Sequence, residues 1–308
     1  MNKNTFVLID GNAILHRAYH AMPRFEVDGR LVNAIYGFIS ILFAAIEKHH
    51  PEYLAVAFDV KGPTFRDELF DQYKAKRVKP PQEFYDQIAD VWEFVRTMEI
   101  PLLTKEGFEA DDIIGTLAKH INGDLKEGEV IIVTGDQDTL QLVDQRTKVA
   151  MPAMGRIKET IYDASAVQGK LGIQPRQVID YKALSGDNSD NIPGVKGIGP
   201  KTAVLLLQEF GSIEKIYQAL SSDAETFKTK FKASVYDKLI SGKESAELSK
   251  KLATIKTDVA LDFKLKDATL HDFDADEVKQ FLDKFQFKSL QKRMPLSGRK
   301  NNQQERLF

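Results

Sequence analysis

The stretch TFVLIDGN, residues 5–12, is a run of apolar and β-branched residues that ends abruptly in an aspartate. Two later runs have the same character, YLAVAF at 53–58 and VIIV at 130–133. Continuous apolar runs of this length are typical of strands buried on both faces of a parallel sheet. The carboxyl ends of parallel strands meet at one edge, where open α/β sheets bind ligands, so Asp10, Asp59 and Asp136 are predicted to lie close together.

The pattern along the chain changes at about residue 163. Before it, strand-like runs alternate with helical stripes at residues 33–49 and 83–98, which predicts a βαβ architecture. After it the strand-like runs stop and short helical patterns follow. The domains expected are an α/β core with residues 1–170, a helical region with residues 171–294 and a flexible polar tail with residues 295–308.

Composition excludes several classes of protein. The 308 residues contain no cysteine, which rules out disulfides, thiolate catalysis and Cys-ligated zinc. No apolar run approaches the ~20 residues that span a bilayer, and the first residues lack the features of a signal peptide, so a cytoplasmic location is expected. The net charge of −2 is unusual for a nucleic-acid binder. However, six lysines and arginines fall between residues 61 and 79, so the distribution of charge along the chain is more informative than the net charge.

Acidic side chains form the candidate site. They are Asp10, Asp59, Glu109, Asp111, Asp112, Asp136, Asp138, Asp187 and Asp190. Any one group could simply cap a helix or a turn, because negative charge is favourable there. So many acids at strand ends and helix starts together are better explained by metal binding, and hard oxygen ligands predict Mg²⁺ or Mn²⁺. Two such ions about 4 Å apart can activate a water, hold a phosphate and stabilise its leaving oxygen.

Two further segments bear on function. In the basic segment, residues 60–84, cations alternate with aromatic residues. Such a segment either contacts the bases and phosphates of a single-stranded nucleic acid or is a mobile surface loop.

The hairpin, GVKGIGPKTA at residues 194–203, has glycines that let the backbone approach a phosphate, with Lys196 and Lys201 adding charge. It predicts a helix-hairpin-helix that binds the DNA backbone rather than a nucleotide P-loop, and a tight turn that binds no DNA is the alternative.

Taken together, the motifs resemble the 5′-nuclease (flap endonuclease) family, and most closely the amino-terminal 5′-3′ exonuclease domain of bacterial DNA polymerase I. The similarity runs from about residue 6 to 292. It is carried by IDGN at 9–12, FD at 58–59, TFRDE at 64–68, YKAKR at 73–77, EADD at 109–112, TGDQD at 134–138, GDNSDNIPG at 186–194 and GIG at 197–199. The resemblance implies an α/β fold, with a PIN-like core around a mainly parallel central sheet and a helix-three-turn-helix DNA-binding region.

The same resemblance implies roles for individual residues. The acids would hold two divalent ions, with Asp138, Asp187 and Asp190 nearer the second ion and the remaining six at the first. The basic segment would be a helical arch over a single-stranded 5′ end, with Lys74 and Arg77 acting catalytically on the scissile phosphate. The implied DNA contacts are Arg66, Tyr73, Lys74, Arg77, Lys196, Gly197, Gly199, Lys201 and Thr202. Tyr73 would stack on a base, and the hairpin would bind K⁺ through backbone oxygens.

The predicted function is that of a structure-specific 5′-3′ exonuclease and flap endonuclease. It would hydrolyse DNA at 5′ flaps, nicks and primer ends during replication and repair, as a monomer in the bacterial cytoplasm associated with the nucleoid. A non-catalytic, structure-specific DNA-binding protein is the alternative from another class, with the acids merely structural. An RNA-cutting nuclease with a related core is a further alternative, but it gives no reason for the hairpin.

The last residues carry a separate expectation. QERLF, from Gln304 to Phe308, is similar to the Gln-x-x-Leu-Phe peptide by which bacterial replication proteins dock on the sliding clamp. This predicts a free-standing nuclease recruited to the clamp by its tail. A polymerase fragment that ends in linker is the alternative.

Overall fold

The computed structural model describes residues 4–124, 128–152, 158–222, 224–271 and 273–295. The strands are β1 Asn4–Asp10, β2 Glu26–Val27, β3 Arg30–Leu31, β4 Tyr53–Ala57, β5 Leu102–Leu103, β6 Gly128–Val133, β7 Thr147–Met151 and β8 Thr160–Tyr162. Six of them form one sheet in the order β5-β4-β1-β6-β7-β8, and β2 pairs with β3 separately. All neighbours in the large sheet are parallel except β7 and β8, which confirms the predicted mainly parallel sheet.

The central strands show why the sequence contains continuous apolar runs. β1 pairs in parallel with β4 on one side and β6 on the other. Successive side chains of a strand point to opposite faces of its sheet. Phe6 and Leu8 accordingly enter one hydrophobic core while Val7 and Ile9 enter the other, and all four are buried. Because both faces of these strands are covered, every position must be apolar.

Helices cover both faces of the sheet. They are α1 Gly11–Ala21, α2 Asn33–His49, α3 Phe65–Leu69, α4 Gln82–Thr97, α5 Ala110–Asp124, α6 Ala164–Leu171, α7 Val178–Ser185, α8 Pro200–Phe210, α9 Ile213–Ser222, α10 Ala224–Lys230, α11 Ala233–Ser241, α12 Lys243–Ala253, α13 Ala275–Lys284 and α14 Lys288–Gln291. Short 3₁₀ helices lie at Asp138–Leu142, Pro175–Gln177 and Leu265–Ala268. α1, α2, α4, α13 and α14 contribute to one core, and α5 to α12 to the other.

Most predicted elements are found where the sequence placed them. The stripes at 33–49 and 83–98 are confirmed as α2 and α4, the second displaced by one residue. The basic segment contains α3, a series of turns and the start of α4. The predicted boundary between residues 170 and 171 falls inside α6, and one hydrophobic core runs across it. None of the described helices is both long and apolar enough to cross a membrane.

Candidate metal centre and its basic rim

A cavity of about 1050 Å³ opens at the carboxyl edge of β1, β4 and β6. Seven of the predicted acids line it: Asp10, Asp59, Glu109, Asp111, Asp136, Asp138 and Asp187. Lys74 and Arg77 of the basic segment line it as well. Residues that are far apart in sequence thus meet at the sheet edge where open α/β folds bind ligands. We call this space the carboxylate cavity.

Asp10 is fixed at the end of β1 by two hydrogen bonds. One carboxylate oxygen accepts from the backbone N–H of Ala13 at 2.9 Å and caps α1, while the other accepts from the Thr134 hydroxyl at 2.7 Å. Burial, reinforced by the charges of Asp136 and Asp59, raises the pKa of Asp10 to about 7. The helix cap and the metal-site prediction are therefore compatible, because the carboxylate that caps α1 also lines the cavity.

Asp59 and Asp136 are held at the ends of their strands by local contacts. Asn12 donates through its amide to the Asp59 carboxylate at 2.9 Å, and the start of α5 donates to the same carboxylate through the N–H of Ala110 at 2.6 Å. The Asp136 carboxylate accepts from the backbone N–H of Asp138 at 2.8 Å. These bonds leave each carboxylate aimed at the cavity with its orientation restrained.

Asp111 lies on the first turn of α5, among the other acids. Burial raises the pKa of Asp111 well above its usual value, and the charges of Asp136 and Asp10 raise it further. A buried carboxylate surrounded by like charges is unstable in its ionised form unless a cation is close. This is the strongest electrostatic indication of a cation site in the cavity.

Lys182, on α7, is a site residue that the sequence analysis missed. It is only 8% exposed, and its ammonium group contacts the carboxylates of both Asp138 and Asp187. This contact lowers the pKa of Asp187 to about 2 against the effect of its burial. Burial of Asp138 and the charge of Asp136 outweigh the same lysine and raise the pKa of Asp138 to about 7. A lysine inside the apolar pattern VIDYKALS was the available signal.

Asp112 is not in the cavity, which corrects its predicted role as a metal ligand. It is fully buried and accepts two hydrogen bonds from the Arg66 guanidinium at 2.7 and 2.8 Å, and another from the backbone N–H of Lys256. Arg66 also donates to the backbone oxygens of Leu252 and Thr254. The predicted DNA contact of Arg66 is therefore also wrong in this structure, because its guanidinium group is buried and occupied within the protein.

Tyr73 and Asp190 lie behind the cavity wall. The Tyr73 ring is 6% exposed and its hydroxyl donates to Asp190 at 3.1 Å and Glu109 at 3.2 Å, which leaves no free face for the predicted base stacking. Asp190 also accepts from Arg77 at 2.6 Å. Lys74 donates to Glu109 at 2.5 Å. The two predicted phosphate-binding cations thus reach the cavity as ion pairs with acids.

The donor set fits divalent cations in its chemistry. Among the described residues, no group of three acidic or histidine side chains is already arranged as a metal-binding cage. Lys74, Arg77 and Lys182 neutralise part of the acidic cluster, and Lys182 bridges two of its carboxylates. The donors that line the cavity are carboxylates, the ligands that Mg²⁺ and Mn²⁺ prefer.

The hairpin lies on the surface, directly after the acids of residues 187–190. Gly194 and Gly197 have φ of 62° and 83°, and a Cβ on Gly194 would stand 2.2 Å from the backbone nitrogen of Gly186. Lys196 and Lys201 are exposed, as are Gly197 and Gly199, while Thr202 is partly buried. The chain therefore needs glycine where the backbone folds back on itself, and the cations face outward.

Family comparisons cover nearly the whole described chain. A family model for the 5′-3′ exonuclease, N-terminal resolvase-like domain, matches residues 5–172, and one for the 5′-3′ exonuclease, C-terminal SAM fold, matches residues 173–276. DNA polymerase I of Caldicellulosiruptor bescii is 42% identical over 295 residues, which cover 94% of this chain and 33% of that protein. DNA polymerase I of Bacillus subtilis is 38% identical over 294 residues, which cover 95% and 32%. The chain spans about a third of the length of these relatives.

Solved structures share the fold. A structure of T5 5′-exonuclease with bound zinc superposes with a TM-score of 0.68 at 21% identity, covering 92% of this chain and 99% of that one. The catalytic core of Rad2 in complex with DNA substrate gives a TM-score of 0.57 at 17% identity, covering 92% and 88%. These likenesses, with the resolvase-like family description, confirm the predicted fold class.

Proposed function

The chain belongs to the 5′-3′ exonuclease family, and from this premise we propose that it hydrolyses DNA phosphodiester bonds at 5′ flaps, nicks and primer ends. The predicted enzyme class, a nuclease, agrees with the family. The observation that carries the proposal is the carboxylate cavity, where acids from separate strands and helices meet the cations Lys74 and Arg77. This arrangement suits a substrate with a charged phosphate and an attacking water.

Divalent cations are the proposed cofactor, and Mg²⁺ is the ion we assign. Solved structures of T5 nucleases contain bound zinc or other metal ions, which supports metal dependence. In this chain Asp10, Asp111 and Asp136 would hold one ion, and Asp138 with Asp187 the other. Such ions, when bound, would supply an activated water and stabilise negative charge on the leaving oxygen.

The protein's own residues would orient this chemistry. Thr134 fixes the Asp10 carboxylate and Asn12 fixes that of Asp59, so the donors need little rearrangement. Lys182 would neutralise the repulsion between the carboxylates of Asp138 and Asp187. A bound divalent cation would take over part of this neutralisation. Lys74 and Arg77 would exchange acid partners for the scissile phosphate, which binds such cations strongly.

We propose that the hairpin binds the backbone of duplex DNA through the exposed Lys196 and Lys201 and the N–H groups at the start of α8. The structure of Rad2 contains DNA substrate, which supports DNA as the partner of this fold. We also propose that the hairpin binds a K⁺ ion, although its backbone oxygens fit this ion less completely. The backbone oxygens of Gly194 and Gly197 already accept hydrogen bonds from Ser245 and Lys238, so no step of cleavage is derived from this ion.

The cellular location, the oligomeric state and the docking on the sliding clamp are also proposals. Bacterial DNA polymerases among the relatives support a cytoplasmic location with the nucleoid. A monomer is proposed because the cavity is complete within one chain. Residues 304–308 lie outside the described residues, and clamp docking stays a prediction that a titration of purified clamp, with and without Gln304 to Phe308, would test.

The test of the proposed function is cleavage of an end-labelled 5′-flap DNA with Mg²⁺ and with a chelator. We expect cutting near the junction only with metal, and its loss in Asp136→Asn. Asp258→Asn, the same change at an exposed acid, is the matched control and should cut normally. Tight DNA binding without cutting under any divalent ion would favour the non-catalytic alternative. Equal or faster cutting of a matched RNA would favour the RNA nuclease.

A further inference from the structure

The acid loop, residues 187–192, is closed like a small β-hairpin. The N–H of Asp187 donates to the oxygen of Ile192 at 2.9 Å, and the N–H of Ile192 donates back to the oxygen of Asp187 at 2.8 Å. Asn191 has a φ of 56°, in the left-handed region. Asparagine is among the few residues other than glycine that adopt this conformation at modest cost. The fixed backbone of the loop therefore fixes where the Asn191 side chain points.

The acid loop holds the root of the basic segment, residues 72–77, through two kinds of hydrogen bond. The first kind ends on the Asp190 carboxylate, which accepts from Tyr73 and from Arg77. The second kind ends on backbone oxygens, and in one such bond the N–H of Lys74 donates to the Asp190 oxygen at 2.9 Å. A carboxylate that turned toward a divalent cation would weaken bonds of the first kind. Bonds of the second kind do not depend on any carboxylate.

Two side chains also make bonds of the second kind, a long one from Arg77 to the backbone oxygen of Ser189 at 3.4 Å and a short one from Asn191. Its side-chain amide donates to the backbone oxygen of Gln72 at 2.6 Å. The Asn191 amide and the Lys74 N–H therefore hold two backbone positions, one on each side of Tyr73. Two attachment points restrain a short segment against rotation as well as displacement. The restraint persists whichever partner the acids bind.

We propose that Asn191 is a positioning residue, whose side-chain amide clamps the root of the basic segment to the acid loop and so holds Lys74 and Arg77 at the scissile phosphate. The consequence for cleavage rests on the proposed function. The clamp itself is a contact within the protein, and its strength can be measured without DNA and without metal.

The first measurement is hydrogen–deuterium exchange of residues 72–77 in chelator. Asn191→Gly keeps the left-handed backbone accessible and removes the amide. We expect exchange in this segment to become about tenfold faster, as the loss of one hydrogen bond from a local opening predicts. Gln208→Ala is the matched control, because it removes another side-chain amide bond to a backbone oxygen, that of Gly172 at 2.7 Å, away from the cavity. Exchange at residues 72–77 should not change in this control.

The second measurement separates binding from turnover on the 5′-flap DNA. With Asn191→Gly, kcat should fall about tenfold or more, since misplacement of catalytic groups slows the reaction, while KM and the DNA Kd stay within about twofold because the hairpin is intact. If Asn191→Gly does not fold, Asn191→Asp carries the same test, because it keeps the side-chain shape and replaces the donor with an acceptor.

Unchanged exchange at residues 72–77 overturns the clamp. Faster exchange with an unchanged kcat overturns the positioning role. A parallel rise in KM and Kd with kcat unchanged also overturns it, because the residue would then serve binding alone. If the unmodified protein does not cut DNA, the proposed function fails and the positioning role fails with it, whereas the exchange result still decides whether the clamp exists.

Discussion

At the scale of single residues, burial in the carboxylate cavity opposes the charge that metal binding needs. The pKa of Asp10 is raised to about 7 from the usual 3.8, chiefly by burial. The folded protein therefore holds a proton that the unfolded chain releases, and without divalent cations its stability falls as the pH rises from about 4 to about 7. Stability at the site is given up for function, as in many active sites.

Asp111→Asn should therefore stabilise the protein in chelator. The substitution removes a buried charge that Asp136 and Asp10 repel. We expect Tm at pH 8 to rise by about 3 °C, as ~1 kcal/mol does in a chain of this size, and to rise less at pH 6, where more of the acids are protonated. Mg²⁺ should raise Tm of the unmodified protein and affect the variant less. A lower Tm in chelator would contradict the electrostatic argument, and Asp258→Asn is the control for the substitution itself.

Lys74→Ala and Arg77→Ala address the cations of the rim. Each should lower the cleavage rate about 100-fold, as the loss of one group that stabilises transition-state charge does. DNA affinity should change little, because the proposed phosphate contacts of the hairpin are intact in both variants. Single-turnover rates and binding titrations check this. Lys61→Ala, an exposed cation of the same segment, is the control. Equal rate losses in all three variants would show a general charge effect instead.

At the scale of elements, the buried pair of Arg66 and Asp112 joins the basic segment to the rest of the fold. Asp112 belongs to the first turn of α5, Arg66 belongs to α3, and Arg66 also reaches the end of α12 at Leu252. One ion pair thus fixes three helices that come from distant parts of the sequence. The basic segment is therefore anchored at α3 by this pair and farther along by the acid loop.

Breaking this pair should be costly. Arg66→Met leaves the Asp112 carboxylate buried without its partner, and we expect a loss of about 3–5 kcal/mol in the free energy of unfolding. The double variant Arg66→Met with Asp112→Leu should be more stable than Arg66→Met alone, because no buried charge is left uncompensated. Urea unfolding of the three proteins checks this. A double variant less stable than Arg66→Met alone would contradict the ion-pair interpretation.

At the scale of the whole molecule, the sheet and the helical region share one core. Leu8 of β1, Leu184 of α7 and Leu206 of α8 belong to the same hydrophobic cluster. Helices of the helical region therefore share the core on one side of the sheet, and α13 and α14 add to the core on the other side. The carboxylate cavity combines both parts, since Lys182 and Asp187 come from the helical region.

The shared core predicts a single unfolding transition. Calorimetry should show calorimetric and van't Hoff enthalpies that agree, as a cooperative unit requires. A fragment with residues 1–170 should aggregate or unfold at a lower temperature, because it loses the apolar side chains that α7 and α8 contribute to this core and exposes their partners. Two resolved transitions, with a stable fragment, would instead support the predicted boundary.

The sequence predicted the parallel strands well, because strands buried on both faces leave an apolar signature and end at a common edge. Seven of the nine acids that it grouped line one cavity, but it could not separate Asp111 from its neighbour Asp112. Successive residues of a helix point about 100° apart, so one enters the cavity while the other meets Arg66. Lys182 was missed because a lysine inside an apolar helical pattern indicates burial at most, whereas its two acidic partners are set by the tertiary structure.

The sequence by itself determined the elements, the edge of the sheet where the acids gather and the family to which the chain belongs. These follow from local periodicity and from short motifs, which are properties of neighbouring residues. Only the tertiary structure decided which acids face the cavity, which cations neutralise them and how Asn191 attaches the basic segment to the acid loop. Many of those contacts join residues that are distant in the sequence, 119 positions for Asn191 and Gln72 and 44 for Lys182 and Asp138, and all depend on the direction of single side chains. No local pattern encodes either property.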